Sequence, residues 1–338
     1  MGAWSISVGL MLTLLGVATA SSYGPLQTRS QNPLYLQFLA LPMEAPPTLR
    51  RGQFETTLHT TYSNVFERNF FEPDFIGETI LNLDMELWRT AVVFGYGLGG
   101  HLDITIELPF ISSSGGFLDG FVQDFHNTFG LPNGGRELVN DNQFSYAMIQ
   151  RGTTLFDYDS QGFGLADLVV RAKLFLPETG TFPLRLALVP SIKLPTGSAS
   201  QGLSSGRVDG GLSVLAQASW GRFAATSHIG GVLLGGHDNL DRLTRLGFVS
   251  FGQSLEYRLV DGLAVIVQLT GNTSAFKHVD DTPLDDIVLD LNIGLAGAFA
   301  FQQGREAQVF YQVALSEDVL SKGPSVDFSV FFLVGVRH

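Results

Sequence analysis

DDIVLDLNIGLAGAFAF, residues Asp285 to Phe301, alternates with a period of two. Ile287, Leu289, Leu291, Ile293, Leu295 and Phe299 share one parity, and Asp286, Asp290, Asn292, Gly294, Ala296, Ala298 and Ala300 share the other. Successive side chains of a strand point to opposite faces, whereas a helix repeats every 3.6 residues, so the stretch is a strand. Strands of soluble sheets usually run about five or six residues. This one is far longer, and its large apolar face opposes a face of small or acidic residues. The pattern suits a wall between lipid and a lumen, where membrane strands take roughly nine to eleven residues.

The composition agrees. The 338 residues include 27 Phe and 39 Gly but only 15% charged residues, against about 25% in soluble proteins. There is no cysteine, hence no disulfide, thiolate metal site or lipidated N-terminal Cys. A formal charge of -12 disfavours nucleic acid as a partner, since that needs basic stripes to replace phosphate counterions. No segment beyond the N-terminus has the roughly twenty unbroken apolar residues of a membrane helix, so a closed barrel is the way this chain crosses a bilayer.

Residues 1–20 read as a secretory signal, with an apolar run from Ile6 to Val17 before Ala18-Thr19-Ala20. Residues 21–51 are broken by Pro25, Pro33, Pro42, Pro46 and Pro47, yet Leu34, Tyr35, Leu36, Phe38, Leu39 and Leu41 are too apolar for a solvated linker. This segment is either a periplasmic clasp on the rim or a plug in the lumen. Residues 52–338 then parse by parity into twelve strands, near 53–63, 78–96, 102–110, 164–176, 182–194, 208–220, 222–234, 245–259, 263–272, 285–301, 305–316 and 326–338. Short turns at Gly97–Gly100, Glu178–Thr181, Gly221, Val260–Gly262 and Gln302–Gly304 fall at the periplasmic end, with Trp220, Phe223, Tyr257, Phe299 and Phe301 near them as an interfacial girdle. In the second strand, parity sends Leu81, Leu83, Met85 and Leu87 to lipid and Asn82, Asp84 and Glu86 to the lumen, then fails near Trp88-Arg89, which predicts a bulge. The terminal strand, Val330 to His338, has the alternation that outer-membrane assembly machinery reads, although it ends in His where Phe is usual.

The connection from Ser112 to Gly162 is out of proportion, and a loop this long is usually functional or disordered. Phe117, Phe121, Phe125 and Phe129 recur every four residues, which predicts a short helix with an aromatic stripe and with Asp119 and Asp124 off it. Gln143–Gln150 and Thr153–Tyr158 flank Arg151-Gly152 as a hairpin. Gly252, Ser254, Gly294, Ala296, Ala298 and Ala300 leave inward volume that close packing fills in most proteins. The expectation is that 115–136 folds back into it as a constriction, Phe stripe to the wall and Asp119 and Asp124 to the solute. The other inward charges form an acidic stripe, Asp84, Glu86, Asp103 and Glu107, and a basic one, Arg171, Lys173, Arg185 and Lys193. They either set up a transverse field or pair and seal the lumen.

Catalytic constellations are thin. No His lies two residues before a Ser, as the outer-membrane phospholipase arrangement requires, and His237-Asp238 and His278 with Asp280 and Asp281 are the remaining His–Asp pairs. Asp238-Asn239-Leu240-Asp241 and the 280–286 acids read as solvated outer loops in preference to cation sites. Gly95, Gly97, Gly99 and Gly100 precede no helix, so they form a turn and no cofactor is expected.

Three segments carry a family resemblance: GPLQTRSQNPLYLQFLALP at 24–42, SSSGGFLDGFVQDFHNTFGLPNGGRE at 112–137 and SIKLPTGS at 191–198. They resemble domain-of-unknown-function family 3187, uncharacterised proteobacterial secreted proteins, across essentially the whole mature chain. The resemblance implies an outer-membrane barrel and supplies no activity. Lys193–Gly197, KLPTG, is also similar to barrels associated with aromatic-compound degradation. The sequence therefore predicts an all-β transmembrane antiparallel barrel of the bacterial outer membrane, with a long, partly helical loop. Its expected partners are outer-membrane lipid, barrel-assembly machinery and a small solute, apolar or aromatic, that it conducts or binds without catalysis. An outer-membrane hydrolase and a non-conducting structural or adhesion barrel are the alternatives.

Overall fold

The computed structural model describes residues 22–68, 79–130, 133, 135–177, 184–279, 282–300, 307–320, 324, 326 and 328–338. The expected signal, Asp280, Asp281, Phe301 and the turns at Glu178–Thr181 and Gln302–Gly304 lie outside these residues. The strands are β1 (Phe54–Arg68), β2 (Thr79–Gly99), β3 (Leu102–Ser114), β4 (Ser145–Gln150), β5 (Thr153–Asp157), β6 (Gln161–Leu165), β7 (Leu168–Leu176), β8 (Leu184–Leu194), β9 (Asp209–Trp220), β10 (Phe223–Leu233), β11 (Gly247–Val260), β12 (Leu263–Asn272), β13 (Val288–Ala300), β14 (Gln308–Asp318) and β15 (Phe328–Arg337). Among the described residues, one α-helix, α1 (Asp119–Phe129), lies in the long connection.

Among the described residues, all strands but β4, β5 and β6 form one antiparallel ring of twelve, closed by β1 pairing with β15 from Glu55 against Arg337 to Asn64 against Phe328. Closure leaves no unpaired sheet edge, the condition for strands to cross a hydrocarbon layer. In β13 the predicted parity holds: Leu291, Ile293, Leu295 and Phe299 are 37–50% exposed on the outer face, while Asn292 and Ala296 are at most 1% exposed on the inner one. The short turns and the paired ends, where Phe54 and His338 exchange backbone hydrogen bonds, mark the periplasmic side. The β2–β3 turn is two residues, Gly100 and His101, both with positive φ, as a tight hairpin turn of this hand requires. Trp220, Phe223 and Tyr257 stack around that end.

β2 departs from the expectation in an instructive way. Its pairing with β1 runs unbroken from Phe54 against Tyr96 to Arg68 against Asn82, so no bulge interrupts it at Trp88-Arg89. One continuous parity faces out: Asn82, Asp84, Glu86, Trp88, Phe94, Tyr96 and Leu98. Leu81, Leu83, Met85 and Leu87 face in and are fully buried. The sequence pattern inverts because the surroundings do. Below Trp88 the outer face meets lipid; above it the strand projects beyond the membrane, its outer face met by the chain entering α1 and its inner face filled by apolar side chains. The β4–β5 hairpin extends this projection, pairing through β4 with Thr79–Asp84 and turning at Arg151-Gly152. β6 pairs with the outer end of β3.

Candidate functional site

The lumen is occupied by the Pro-rich segment. Its Tyr23 hydroxyl accepts the Gly262 N–H at the periplasmic β11–β12 turn, 2.6 Å away, and Glu256 accepts from Ser22 and the Tyr23 N–H. The segment then climbs. Gln268 on β12 accepts the Leu26 N–H at 3.0 Å and donates to the Leu26 carbonyl at 2.9 Å, while Gln312 on β14 accepts the Gln27 N–H and donates to the Pro25 carbonyl. Each carboxamide both donates to and accepts from the segment's backbone, so these two glutamines replace the sheet partner that an isolated extended backbone lacks. At the top, a 3-10 turn at Tyr35–Gln37 reverses the chain. The Leu39 N–H donates to Asp209, and the descending limb ends where Leu49 N–H donates to Asp103, at 2.9 Å.

Small inward residues make the room. A Cβ on Gly252 would lie 2.4 Å from Met43, one on Gly230 2.7 Å from Leu41 and one on Gly294 2.9 Å from Leu26. The apex sits in an apolar dome: Leu34, Tyr35, Phe38 and Leu39 pack with Leu81, Leu83 and Met85 of β2, with Tyr146, Met148, Phe156 and Tyr158 of the hairpin region, and with Phe276, Val279 and Leu284 from the outer loops. The dome sits at the extracellular end of the lumen.

Below it the descending limb meets the charged wall. Glu44 lies 3.1 Å from Lys173 and 3.6 Å from Arg171, and Lys173 is 3.9 Å from Asp103. Glu107 pairs with Arg171 at 2.8 Å and with Arg89. The acidic and basic residues therefore sit on neighbouring strands and neutralise one another sideways, with the plug's carboxylate completing the set. Toward the periplasm they border a cavity of about 370 Å³, lined also by Glu55, His59, Arg185, Gln217 and Arg337.

A family model described as protein of unknown function (DUF3187) matches residues 6–338. The chain belongs to this family. Among solved structures, it resembles the COG4313 outer membrane channel from Pseudomonas putida F1, with 15% identity, a TM-score of 0.50, and coverage of 87% of this chain and 98% of that one. More distant are the KdgM porin in complex with disordered oligogalacturonate (7% identity, TM-score 0.39, covering 84% and 98%) and the CymD monoaromatic hydrocarbon channel (10%, 0.36, covering 86% and 88%). No curated protein sequence matches. The fold is that of bacterial outer-membrane barrels, and the DUF3187 chain is an outer-membrane protein.

In this DUF3187 barrel Asp103, Glu107, Arg171, Lys173, Arg185 and Lys193 are on the inner wall. Asp84 and Glu86 are not: they face out above the membrane, where Asp84 is 3.5 Å from Arg68 and Glu86 accepts the N–H groups of Phe117 and Leu118 and the Tyr62 hydroxyl. The Phe-stripe helix forms, but outside the barrel. Phe121 and Phe125 lie 6.0 and 6.2 Å from Phe328 on the outer face of β15, and Phe117 stacks on Tyr62 of β1. Asp119 is buried beneath α1, accepting from Asn64, Arg136 and the Asn142 N–H, and Asp124 is exposed. The described residues of 115–136 therefore form no constriction in the lumen, because the 22–50 segment already fills the volume left by the small residues.

Lys193, from the KLPTG turn, is fully buried between Asp167 (2.6 Å) and Asp209 (3.4 Å), and through Asp209 it fixes both the plug and the outer loop at Gly235. His237 anchors the apex from the same loop: its Nδ1 accepts the N–H groups of Asn239 and Leu240, which leaves Nε2 to donate to Gln37 at 3.0 Å. Burial, with the nearby Lys193 charge, pushes His237 down to about 4. Both its nitrogens are engaged, and Asp238 pairs with Arg207. Sequence reading missed Glu44, Asp209, Gln268 and Gln312, since a lone Gln on an inward parity carries no signal of the backbone it will hold.

Proposed function

We propose that this protein is an outer-membrane channel for a small solute, gated by its own residues 22–50. The observation that carries the reading is the way the segment is held. Wall side chains grip its backbone at Leu26, Gln27, Leu39 and Leu49, and it adjoins a cavity of about 370 Å³, near the small end of the range of ligand sites. Such hydrogen bonds contribute about 0.5–1.5 kcal/mol each in net terms, or about 1.5–3 kcal/mol where the acceptor is a carboxylate, because water replaces them on release. The engagement of both His237 nitrogens supports transport over hydrolysis. In this reading β15 is the strand that the barrel-assembly machinery engages.

The test is planar-bilayer conductance of the purified barrel against a variant lacking 22–50, with a heat-modifiable gel band as proof of folding. The intact barrel is expected to conduct poorly and the shortened one several-fold better. A folded, shortened barrel with no added conductance would refute the channel.

A further inference from the structure

We propose that α1 is an interfacial anchor whose Phe face inserts among the acyl chains of the outer leaflet. Phe117, Phe121 and Phe129 are 71%, 53% and 66% exposed, although the opposite side of the helix, at Asp119, Val122 and His126, is buried. A patch of large aromatics left uncovered by the rest of the chain marks an interaction surface. Its position names what covers it. Phe328, which touches Phe121 and Phe125, belongs to the outward parity of β15 that continues through Phe332, Val334 and Val336 into the lipid-facing wall.

The rings also form a course around the barrel. Phe163 meets Trp88 edge-on at 5.4 Å, Trp88 meets Tyr62 at 6.2 Å, Tyr62 stacks on Phe117 at 5.9 Å, and Phe121, Phe125 and Phe129 follow along the helix at 6.5 and 4.8 Å. Trp88 and Tyr62 are the outward residues where β2 and β1 leave the membrane. Aromatic belts settle at both interfaces of a barrel. The periplasmic belt comes from the strands themselves, and the outer one on this side is carried largely by α1. Two carboxylates hold the helix rigidly in that position, Glu86 by gripping the chain at its start and Asp119 by tying it to Arg136 and Asn64. The apolar stripe is thus continuous with the lipid-facing wall, and lipid is the occupant it fits.

The chain has no cysteine, so single nitroxide labels are unambiguous. Phe121→Cys and Phe129→Cys, labelled and refolded in dioleoylphosphatidylcholine vesicles, are compared with Leu291→Cys on the lipid-facing wall and Asp124→Cys on the exposed helix flank. Collision with dissolved oxygen in excess of a water-soluble nickel chelate is expected at 121 and 129, as at 291, and the reverse at 124. Nickel preference at 121 and 129 would overturn the proposal. So would protection from both reagents with spin–spin broadening that grows with protein density, which would assign the face to a second copy.

Discussion

The lower and upper halves of β2 are one strand in one register, yet they follow opposite codes. From Val92 to Leu98 the outward residues, Val92, Phe94, Tyr96 and Leu98, are apolar, and the inward ones below Arg89, namely Ala91, Val93 and Gly95, are small. From Leu81 to Leu87 the outward residues are Asn82, Asp84 and Glu86 and the inward ones are large and apolar. Hydrophobic parity reports what surrounds a face, not whether that face is inside or outside. In the membrane the apolar medium lies outside the barrel; above it, the apolar medium is the dome within.

The comparison breaks most sharply under a charge placed in each apolar medium. Leu83→Arg puts an uncompensated charge in the dome and is expected to cost about 3–5 kcal/mol. Val92→Arg, on the lipid face of the same strand, should cost roughly 2–4 kcal/mol. Asn82→Arg, outward but above the membrane, should stay within about 0.5 kcal/mol. Urea unfolding from vesicles measures all three, and equal penalties at Val92 and Asn82 would erase the inversion.

A smaller effect probes the charged wall below the dome. Glu107→Gln and Arg171→Gln each leave a buried partner short of its counter-charge, so the double variant should fall short of the summed losses by about 0.5–3 kcal/mol. Strict additivity would mean that water already screens the 2.8 Å pair.

The mildest test sharpens the upper half with pH. His237 ordinarily titrates near 6.5 and is held down to about 4 in the folded protein. The unfolded chain therefore binds the extra proton first on acidification, and the apex is at full stability above pH 6.5 and loses it as pH falls toward 4. External protease should begin to cut the 234–246 loop across that window, and His237→Gln should flatten the dependence. An unchanged profile in the variant would move the effect to another group.

The sequence disclosed the parts of the fold governed by lipid. β13 and the strand count followed from alternation alone, because one medium faces every residue of one parity. Where the medium changes within a strand, as at Trp88, the same rule gave the wrong face to Asp84 and Glu86. A warning was available in the length of β2: its 21 residues are about twice what a bilayer requires. The excess lumen volume was also legible at Gly252 and Gly294, but its occupant was not. The Phe stripe at 117–129 and the apolar run at 34–41 make equal claims on an empty space, and what separates them is a set of contacts to backbone, at Gln268, Gln312 and Asp209, that leaves no trace in residue patterning.

The path of the plug has a topological consequence. Tyr23 bonds to Gly262 at the periplasmic turn and Gly52 bonds to Gly97 on the same side, so the segment rises and returns without either end crossing the lumen. It is a bight of rope pushed into a pipe, not a thread drawn through one. Under the proposed gating, such a loop leaves the lumen once its side-chain contacts are released, with no knot to undo, no strand to unzip and no cut in the ring between β1 and β15.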